Sequence, residues 1–220
     1  MIYKIVVMSC DKNEDLWKPF YLCMEKYWKN HPQIIYSTET KINPYYTTIC
    51  RNLPIDKWTK RLHDTIMELD SKYILLMCDD LFIRDYVCNT LIETLCGFLV
   101  GGYVGLNMEK TFDPNDRPLN DKIMIRNPYG KYKTSVMCQL FIKGALLDMT
   151  NLELNPWEYE KLNNGKYYQF LVSRYGDFIN WGYGEHTWFG IRKGKWCKEV
   201  KDFFNKENIE IDYSIRGFFE

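Results

Sequence analysis

The run Tyr73-Ile74-Leu75-Leu76-Met77-Cys78-Asp79-Asp80-Leu81-Phe82 constrains this chain more than any other stretch. Five apolar residues, too few to cross a membrane, end abruptly in two adjacent carboxylates. A continuous apolar run of this length reads as a strand buried on both faces, as in a parallel sheet flanked by helices. In open α/β sheets ligands gather beyond the carboxyl ends of the strands, which is where Asp79 and Asp80 fall. Adjacent anions repel unless positive charge sits between them, and a divalent cation carrying phosphate oxygens meets that need. The plainer alternative is that one Asp caps the following helix and the other is solvated.

The flanking periodicity agrees with a sheet flanked by helices. Residues 1–9 read as a first strand. Leu16, Phe20, Met24 and Trp28 recur every four residues, with Cys23 and Tyr27 on the same face, and predict an amphipathic helix that His31-Pro32 ends. Residues 34–37 read as a second strand, and residues 38–54, polar and holding Pro44 and Pro54, as irregular chain. Trp58, Leu62, Ile66 and Leu69 predict a helix leading into the acidic strand; Val87, Leu91, Leu95 and Phe98 predict the next. A Gly101-Gly102 turn and a strand over 103–106 follow. Strands alternating with helices are the α/β signature. Residues 107–134, with three prolines, predict a long loop or a small excursion, and loops of that length are commonly functional or mobile. Beyond it come a strand over 135–142, a short helix over 145–149 and a last helix over 198–206.

Composition narrows the function classes. At 220 residues the chain fits one α/β domain with a real core. Basic and acidic residues number 29 each, so no basic field invites nucleic acid. None of the eight cysteines forms a C-x-x-C pair, which argues against structural zinc or a redox motif. The apolar run at the start is too short for a secretory leader, so reduced thiols in a cytoplasmic protein are the expectation. Leu91 to Leu106 is apolar but holds Glu93 and several glycines, and falls short of a spanning helix.

Several clusters carry candidate chemistry. The first strand ends in Ser9-Cys10-Asp11 before a helix, where Ser9, Asp11 and backbone amides are placed to hold a nucleotide; a plain turn with Asp11 or Asn13 as cap is the competing reading. Glu39 follows the second strand, where doubly wound folds meet a ribose or base edge, although such a residue is often only solvated. Lys57, Lys60 and Arg61 open the helix before the acidic strand and would neutralise a diphosphate if turned toward the sheet edge; a solvated basic face is the commoner outcome. In Asn155-Pro156-Trp157-Glu158-Tyr159-Glu160 a proline starts a helix and places acids in its first turn. An ionised acid there can take a proton from a hydroxyl, and Trp157 can pack on a sugar; a well-capped helix with a buried Trp competes. His186, in a glycine- and aromatic-rich loop, is a candidate third metal ligand or phosphate contact. Arg192, Lys193 and Lys195 form a short basic cluster suited to a phosphate or, weakly, an anionic membrane surface. No Ser-His-Asp arrangement, P-loop or G-x-G-x-x-G is present.

The order of these motifs resembles bacterial GT-A glycosyltransferases, above all a group active in surface-polysaccharide (capsule or lipopolysaccharide) synthesis. The resemblance rests on Trp58-x-x-Arg61-Leu62, Ile66-x-x-Leu69, Ser71-Lys72-Tyr73-Ile74-Leu75-Leu76 and Asp79-Asp80-Leu81-Phe82. Ser135, Gln139, Phe141-Ile142-Lys143, Asn155-Pro156-Trp157-Glu158-Tyr159-Glu160 and Lys193-Gly194-Lys195-Trp196 resemble later blocks. It implies a single GT-A-like, Rossmann-like α/β domain with a mostly parallel central sheet, residues 1–106 binding the nucleotide sugar and 107–220 the acceptor. The implied activity is metal-assisted transfer of a hexose from a nucleotide diphosphate sugar, a UDP-sugar by expectation, to an oligosaccharide or lipid-linked glycan. Asp79 and Asp80 match the group's metal-binding acidic motif and would hold Mn²⁺ or Mg²⁺, with His186, which that motif does not include, as the candidate third ligand named above. Of the residues singled out by position, Ser9, Asp11, Glu39, Lys60, Arg61 and Asp79 would meet the donor and Trp157 the acceptor. Glu160, with Glu158 as substitute, would be the base of an inverting enzyme. Cys78-Asp79-Asp80 departs from a strict D-x-D, which leaves open how the two acids share the metal. Such an enzyme would act in the cytoplasm, with peripheral contact at the inner face of the membrane. A sugar-nucleotidyltransferase is the neighbouring alternative, though it would need a glycine-rich basic signature that Ser9-Cys10-Asp11-Lys12 lacks. A non-catalytic carbohydrate-binding or scaffold protein of the same pathway is the other.

Overall fold

Tyr73–Cys78 is a strand with its first five residues buried, and it lies near the middle of a nine-stranded sheet. The computed structural model describes residues 2–109, 113–130, 133–161, 168–174, 176–182 and 189–220. In chain order the first half runs β1 (Tyr3–Met8), α1 (Glu14–Tyr27), β2 (Ile34–Thr38), β3 (Thr47–Cys50), α2 (Trp58–Met67), β4 (Tyr73–Cys78), α3 (Asn89–Cys96) and β5 (Tyr103–Asn107). The second half runs β6 (Arg117–Pro118), β7 (Ile123–Ile125), β8 (Cys138–Ile142), α4 (Lys143–Met149), α5 (Pro156–Lys161), β9 (Gln169–Ser173), the hairpin β10 (Ile191–Arg192) and β11 (Lys195–Trp196), and α6 (Lys198–Glu207).

The sheet order is β3-β2-β1-β4-β8-β5-β9-β7-β6. Only β7 and β8 run against the other strands, so this is an α/β fold with a mostly parallel sheet. From β1 the chain steps outward to β2 and β3, then returns to place β4 on the other side of β1. That reversal opens a crevice at the carboxyl ends of β1 and β4, where open sheets bind ligands. In register, Met8 pairs with Ser37 on one side and Cys78 on the other. The next residues, Ser9 and Asp79, therefore emerge side by side.

Alternation along the strands divides the core into two layers. Ile5, Val7, Leu75 and Met77 point to one face with Trp17 and Phe20 of α1, Leu95 of α3 and Phe204 of α6. Val6, Met8, Ile74 and Leu76 point to the other with Trp58 and Leu62 of α2, Leu146 of α4 and Tyr159 of α5. Each fully buried side chain of this kind contributes about 1.5–3 kcal/mol against solvent exposure. Both faces of β4 are covered, which is why its sequence is apolar without alternation.

Four departures from the sequence reading have physical reasons. Thr47–Cys50, within the stretch read as irregular, is the parallel edge strand β3; with no residue fully buried it carries no apolar period. β6 and β7 arise inside the long loop as a short antiparallel ladder added to β9. β8 starts at Cys138 rather than residue 135, because the Gln139 side chain accepts the Ser135 N–H at 2.6 Å and turns the chain before the strand. β9 was hidden in aromatic sequence whose apolar core, Phe170-Leu171-Val172, is too short to announce itself. Among the described residues no helix is long and apolar enough to cross a membrane.

Candidate active site

The turn after β1 is built around the end of β4. Asp79, 2% exposed, accepts the Ser9 hydroxyl at 2.5 Å on one oxygen and the Asn13 amide at 2.9 Å on the other. Trp17 of α1 donates its indole N–H to the same Ser9 hydroxyl at 2.8 Å. Arg61, 1% exposed, projects from α2 and donates to the Ser9 carbonyl at 2.7 Å while pairing with Glu39 at 2.5 Å. Glu39 in turn accepts the Asp11 N–H at 2.6 Å. The Asp11 carboxylate accepts from the Thr40 hydroxyl at 2.6 Å and the Lys41 N–H at 3.0 Å, tying the β1 turn to the chain after β2.

The acids at the tip of β4 are held at an electrostatic cost. Burial, with the adjacent Asp80 charge, raises the Asp79 carboxyl to about 7 against the opposing Ser9 and Asn13 hydrogen bonds. Burial raises Asp80 to about 6, opposed by its own backbone N–H and by the Arg216 cation. Arg216 was not singled out from sequence. Its guanidinium donates to Asp15 at 2.5 and 2.7 Å, to the Lys12 carbonyl at 2.8 Å and to the Asn13 side-chain oxygen at 3.0 Å. A positive-φ turn at Gly217 and hydrogen bonds that tie Gly217 and Phe219 to Trp196 pin this terminal segment against β11. No local pattern around residue 216 announces that role.

Gly190 fixes the other side of the acidic turn. Its N–H donates to the Asp80 carbonyl at 2.9 Å, and a Cβ there would lie 2.2 Å from the Phe82 ring. Phe82 is itself clamped between Trp196 and Phe204. Gly190→Ala is therefore expected to cost about 1–3 kcal/mol of stability, with a loss of activity as Asp80 is displaced. Urea unfolding and turnover of the variant check this; a variant as stable as the wild type contradicts it.

The opposite wall comes from α5. Asn155 and Glu158 cap its start reciprocally, the Asn155 side chain accepting the Glu158 N–H at 2.9 Å and the Glu158 carboxylate accepting the Asn155 N–H at 3.0 Å. Glu158 is thus occupied as a helix cap and exposed. Trp157 is 62% exposed, not a core residue. Glu160 turns inward: it accepts the Val136 N–H at 3.0 Å, and burial raises its carboxyl. Tyr159 packs on Trp58 of α2 at 5.5 Å between ring centres, joining the two walls.

Between them lies a cleft of about 260 Å³. Ser9, Arg61, Asp79, Asp80 and Trp157, five of the residues nominated from sequence, line it, with Asn13, Trp58 and Phe189 among the others. Asp11, Glu39 and Glu160 are not among its lining residues; the first two belong to the network just described. Lys60 pairs with Asp64 one helical turn on, at 2.5 Å, and is not part of the lining. His186 lies outside the described residues. The arrangement joins an anionic tip, a buried guanidinium and an exposed indole in one opening, which suits a ligand carrying phosphate at one end and an apolar ring face at the other.

No family model matches this chain, and no curated protein matches it. Among solved structures it is similar to S. aureus TarS, with a TM-score of 0.54 and 10% identity over 81% of this chain and 36% of TarS. It is also similar to TarS 1-349 in complex with UDP, with a TM-score of 0.50 and 10% identity over 78% of this chain and 57% of that one. CMP:2-keto-3-deoxy-manno-octonic acid synthetase complexed with CTP matches at a TM-score of 0.50 and 11% identity, over 80% of this chain and 92% of the synthetase. The chain spans little more than a third of full TarS. At such identities the likeness is one of fold: the Rossmann-like α/β architecture of GT-A and nucleotidyltransferase proteins.

Proposed function

We propose that this protein is a glycosyltransferase that moves a sugar from a nucleotide diphosphate sugar, a UDP-sugar, to a hydroxyl of a surface-glycan or lipid-linked acceptor. The observation that carries the reading is the pair Asp79-Asp80 at the switch point of the sheet, lining one cleft with Arg61 and Trp157. The UDP complex of TarS supports the choice of donor by likeness of fold.

The acids fit a divalent cation. Asp80 faces the cleft with its carboxyl bonded to no other residue among those described, and both acids are held with charge uncompensated enough to raise them. Among the described residues no group of three metal-binding side chains assembles. One or two carboxylates completed by substrate phosphates and water are a common donor set for Mg²⁺. Asp80 and Asp79 would hold Mn²⁺ or Mg²⁺, which when bound supplies charge neutralisation to the departing diphosphate. Arg61 presents donors beside the same acids for a phosphate oxygen. Trp157 offers a face for the acceptor sugar. Glu160 receives the acceptor hydroxyl proton as its oxygen bonds to the anomeric carbon and the bond to the diphosphate breaks, which inverts that carbon. Burial that raises the Glu160 carboxyl makes its ionised form a stronger base.

Metal affinity carries a sign. With folded values of about 7 and 6, protons compete with metal below those points. Mn²⁺ binding is expected to tighten as pH rises from 5 to 7.5 and to level off above, by about tenfold per pH unit for each proton displaced. Calorimetric titration checks this, and pH-independent binding contradicts it.

The second reading, a sugar-nucleotidyltransferase, is favoured by one observation: the match that covers 92% of the CTP-bound synthetase. One experiment separates the two. Purified protein is given UDP-sugars with Mn²⁺ in one arm and CTP with free sugars or sugar phosphates in the other. Release of UDP supports the transferase, release of pyrophosphate supports the alternative, and no nucleotide-induced thermal shift in either arm overturns both.

A further inference from the structure

The side chains that hold Asp79 are themselves held. Its Oδ2 accepts the Ser9 hydroxyl and its Oδ1 the Asn13 amide. Ser9 takes the Trp17 indole N–H on its oxygen, which leaves its own proton for Asp79. Asn13 needs an orienting partner more, because an amide carries donors at one end and an acceptor at the other. Turned over, it would set its oxygen against the Asp79 carboxylate. Arg216 opposes that turn: its Nη2 donates to Asn13 Oδ1 at 3.0 Å, so the NH₂ end is the one left for Asp79. A guanidinium has donors only and a carboxylate acceptors only, so a single orientation of Asn13 satisfies both neighbours.

Arg216 is well placed to act as that lock. Its side chain is 10% exposed, and Nε and Nη2 donate to the two oxygens of Asp15 at 2.7 and 2.5 Å. The backbone around it is tied to β11: the Trp196 N–H donates to the Gly217 carbonyl at 3.0 Å and the Phe219 N–H to the Trp196 carbonyl at 2.8 Å. The same attachment reaches Asp80, because the Cys197 N–H donates to the Gly190 carbonyl and the Gly190 N–H to the Asp80 carbonyl, both at 2.9 Å. One terminal segment thus braces both acids, through a side chain to Asp79 and through the backbone to Asp80. Arg216 is not among the residues that line the cleft, whereas Asn13 and both acids are. Its charge is felt by Asp79 and Asp80 alike.

We propose that Arg216 is a positioning residue for the acid pair: it locks the Asn13 amide, which presets the Asp79 carboxylate for a divalent cation in the cleft. The cation rests on the transferase reading; the lock on Asn13 does not. Two roles for the arginine predict opposite signs. As a plain counter-charge it repels a metal ion from two carboxylates, and its removal tightens Mn²⁺. As an orienting group it keeps Asn13 from turning, and its removal weakens Mn²⁺. Partners that stand behind a metal ligand are worth about ten- to a hundredfold in affinity.

The test is a titration of the full chain with Mn²⁺ alone, followed by the paramagnetic resonance signal of the free ion. Wild type is compared with Arg216→Met, Arg216→Lys, Asn13→Ala and the double variant Arg216→Met with Asn13→Ala. Arg216→Met is expected to weaken Mn²⁺ by about tenfold, and Arg216→Lys, which keeps the charge without the fork, by less. On the Asn13→Ala background Arg216→Met should add no further weakening, since no amide is left to hold. The proposal is overturned if Arg216→Met binds Mn²⁺ as tightly as wild type or more tightly, or if its weakening persists undiminished beside Asn13→Ala. A purely structural arginine gives the first of these results, with a lower melting temperature and an unmoved Mn²⁺ affinity. Should Arg216→Met not fold, Arg216→Lys is read in its place: weakening at unchanged charge supports the proposal and none overturns it. Wild-type protein that takes up no Mn²⁺ overturns the metal reading and this proposal together. Mn²⁺ binding that Arg216→Met leaves intact overturns this proposal alone, and the expected weakening in a protein that releases no UDP overturns the transferase reading alone.

Discussion

Asp80→Asn is expected to lower turnover of a UDP-sugar by about a hundred- to a thousandfold while making the free protein more stable at neutral pH. The two effects share one cause. Asp80 is kept at the tip of β4 with its carboxyl raised to about 6 from an ordinary 3.8, so its ionised form costs folding free energy. The sign follows from proton counts. Between roughly pH 4 and pH 6 the folded chain holds a proton that the unfolded chain has lost, so stability falls as pH rises through that window. Asparagine removes that loss, and the gain in melting temperature should appear above pH 6 and vanish near pH 4. A chain of this size shifts by about 2–4 °C per kcal/mol. Asp80 is a cleaner choice than Asp79, where an amide would set an N–H₂ against a donor from Ser9 or Asn13. Scanning calorimetry at pH 4 and pH 8, beside a UDP-release assay, reads both effects. Full activity in a folded Asp80→Asn protein would remove the acid pair from the chemistry.

Arg61→Met should cost about 1–3 kcal/mol of stability, because it leaves the Ser9 carbonyl without its donor and the half-buried Glu39 without its cation. Arg61 is 1% exposed, and its guanidinium links Glu39 to the Ser9 carbonyl. Removing it leaves Glu39 without its cation and the β1 turn without its brace. Adding Glu39→Gln to Arg61→Met is expected to recover part of the loss, which a purely steric role for the arginine would not allow. Arg61→Lys keeps the charge but not the fork, so it should spare more stability while raising the KM for donor. Urea unfolding of the three variants, with donor kinetics on those that fold, tests the argument.

The sequence carried much of the fold because burial leaves marks on it. A strand covered on both faces must be apolar throughout, and β4 was legible for that reason; α1 and α2 were legible from their four-residue period. Edge strands leave fainter marks. Thr47–Cys50 is only half buried, and Ile123–Ile125 has a single fully buried residue, so neither shows a period against its polar surroundings. The site divides in the same way. Asp79, Asp80, Ser9, Arg61 and Trp157 stood at recognisable places, strand ends and helix starts, and converge on one cleft. Glu158 stood at an equally recognisable place but serves the cap of α5.

Sequence alone determined that this chain folds as alternating strands and helices with an acidic pair at a strand's carboxyl end, since both depend on local period and on residues adjacent in the chain. Tertiary structure alone decided which charges face that pair. Arg216 reaches Asn13 and Asp15 across two hundred residues of chain, and Gly190 holds the Asp80 carbonyl. Both join segments far apart in the chain, and hydrogen bonds between distant segments leave no period in the sequence for a reader to find.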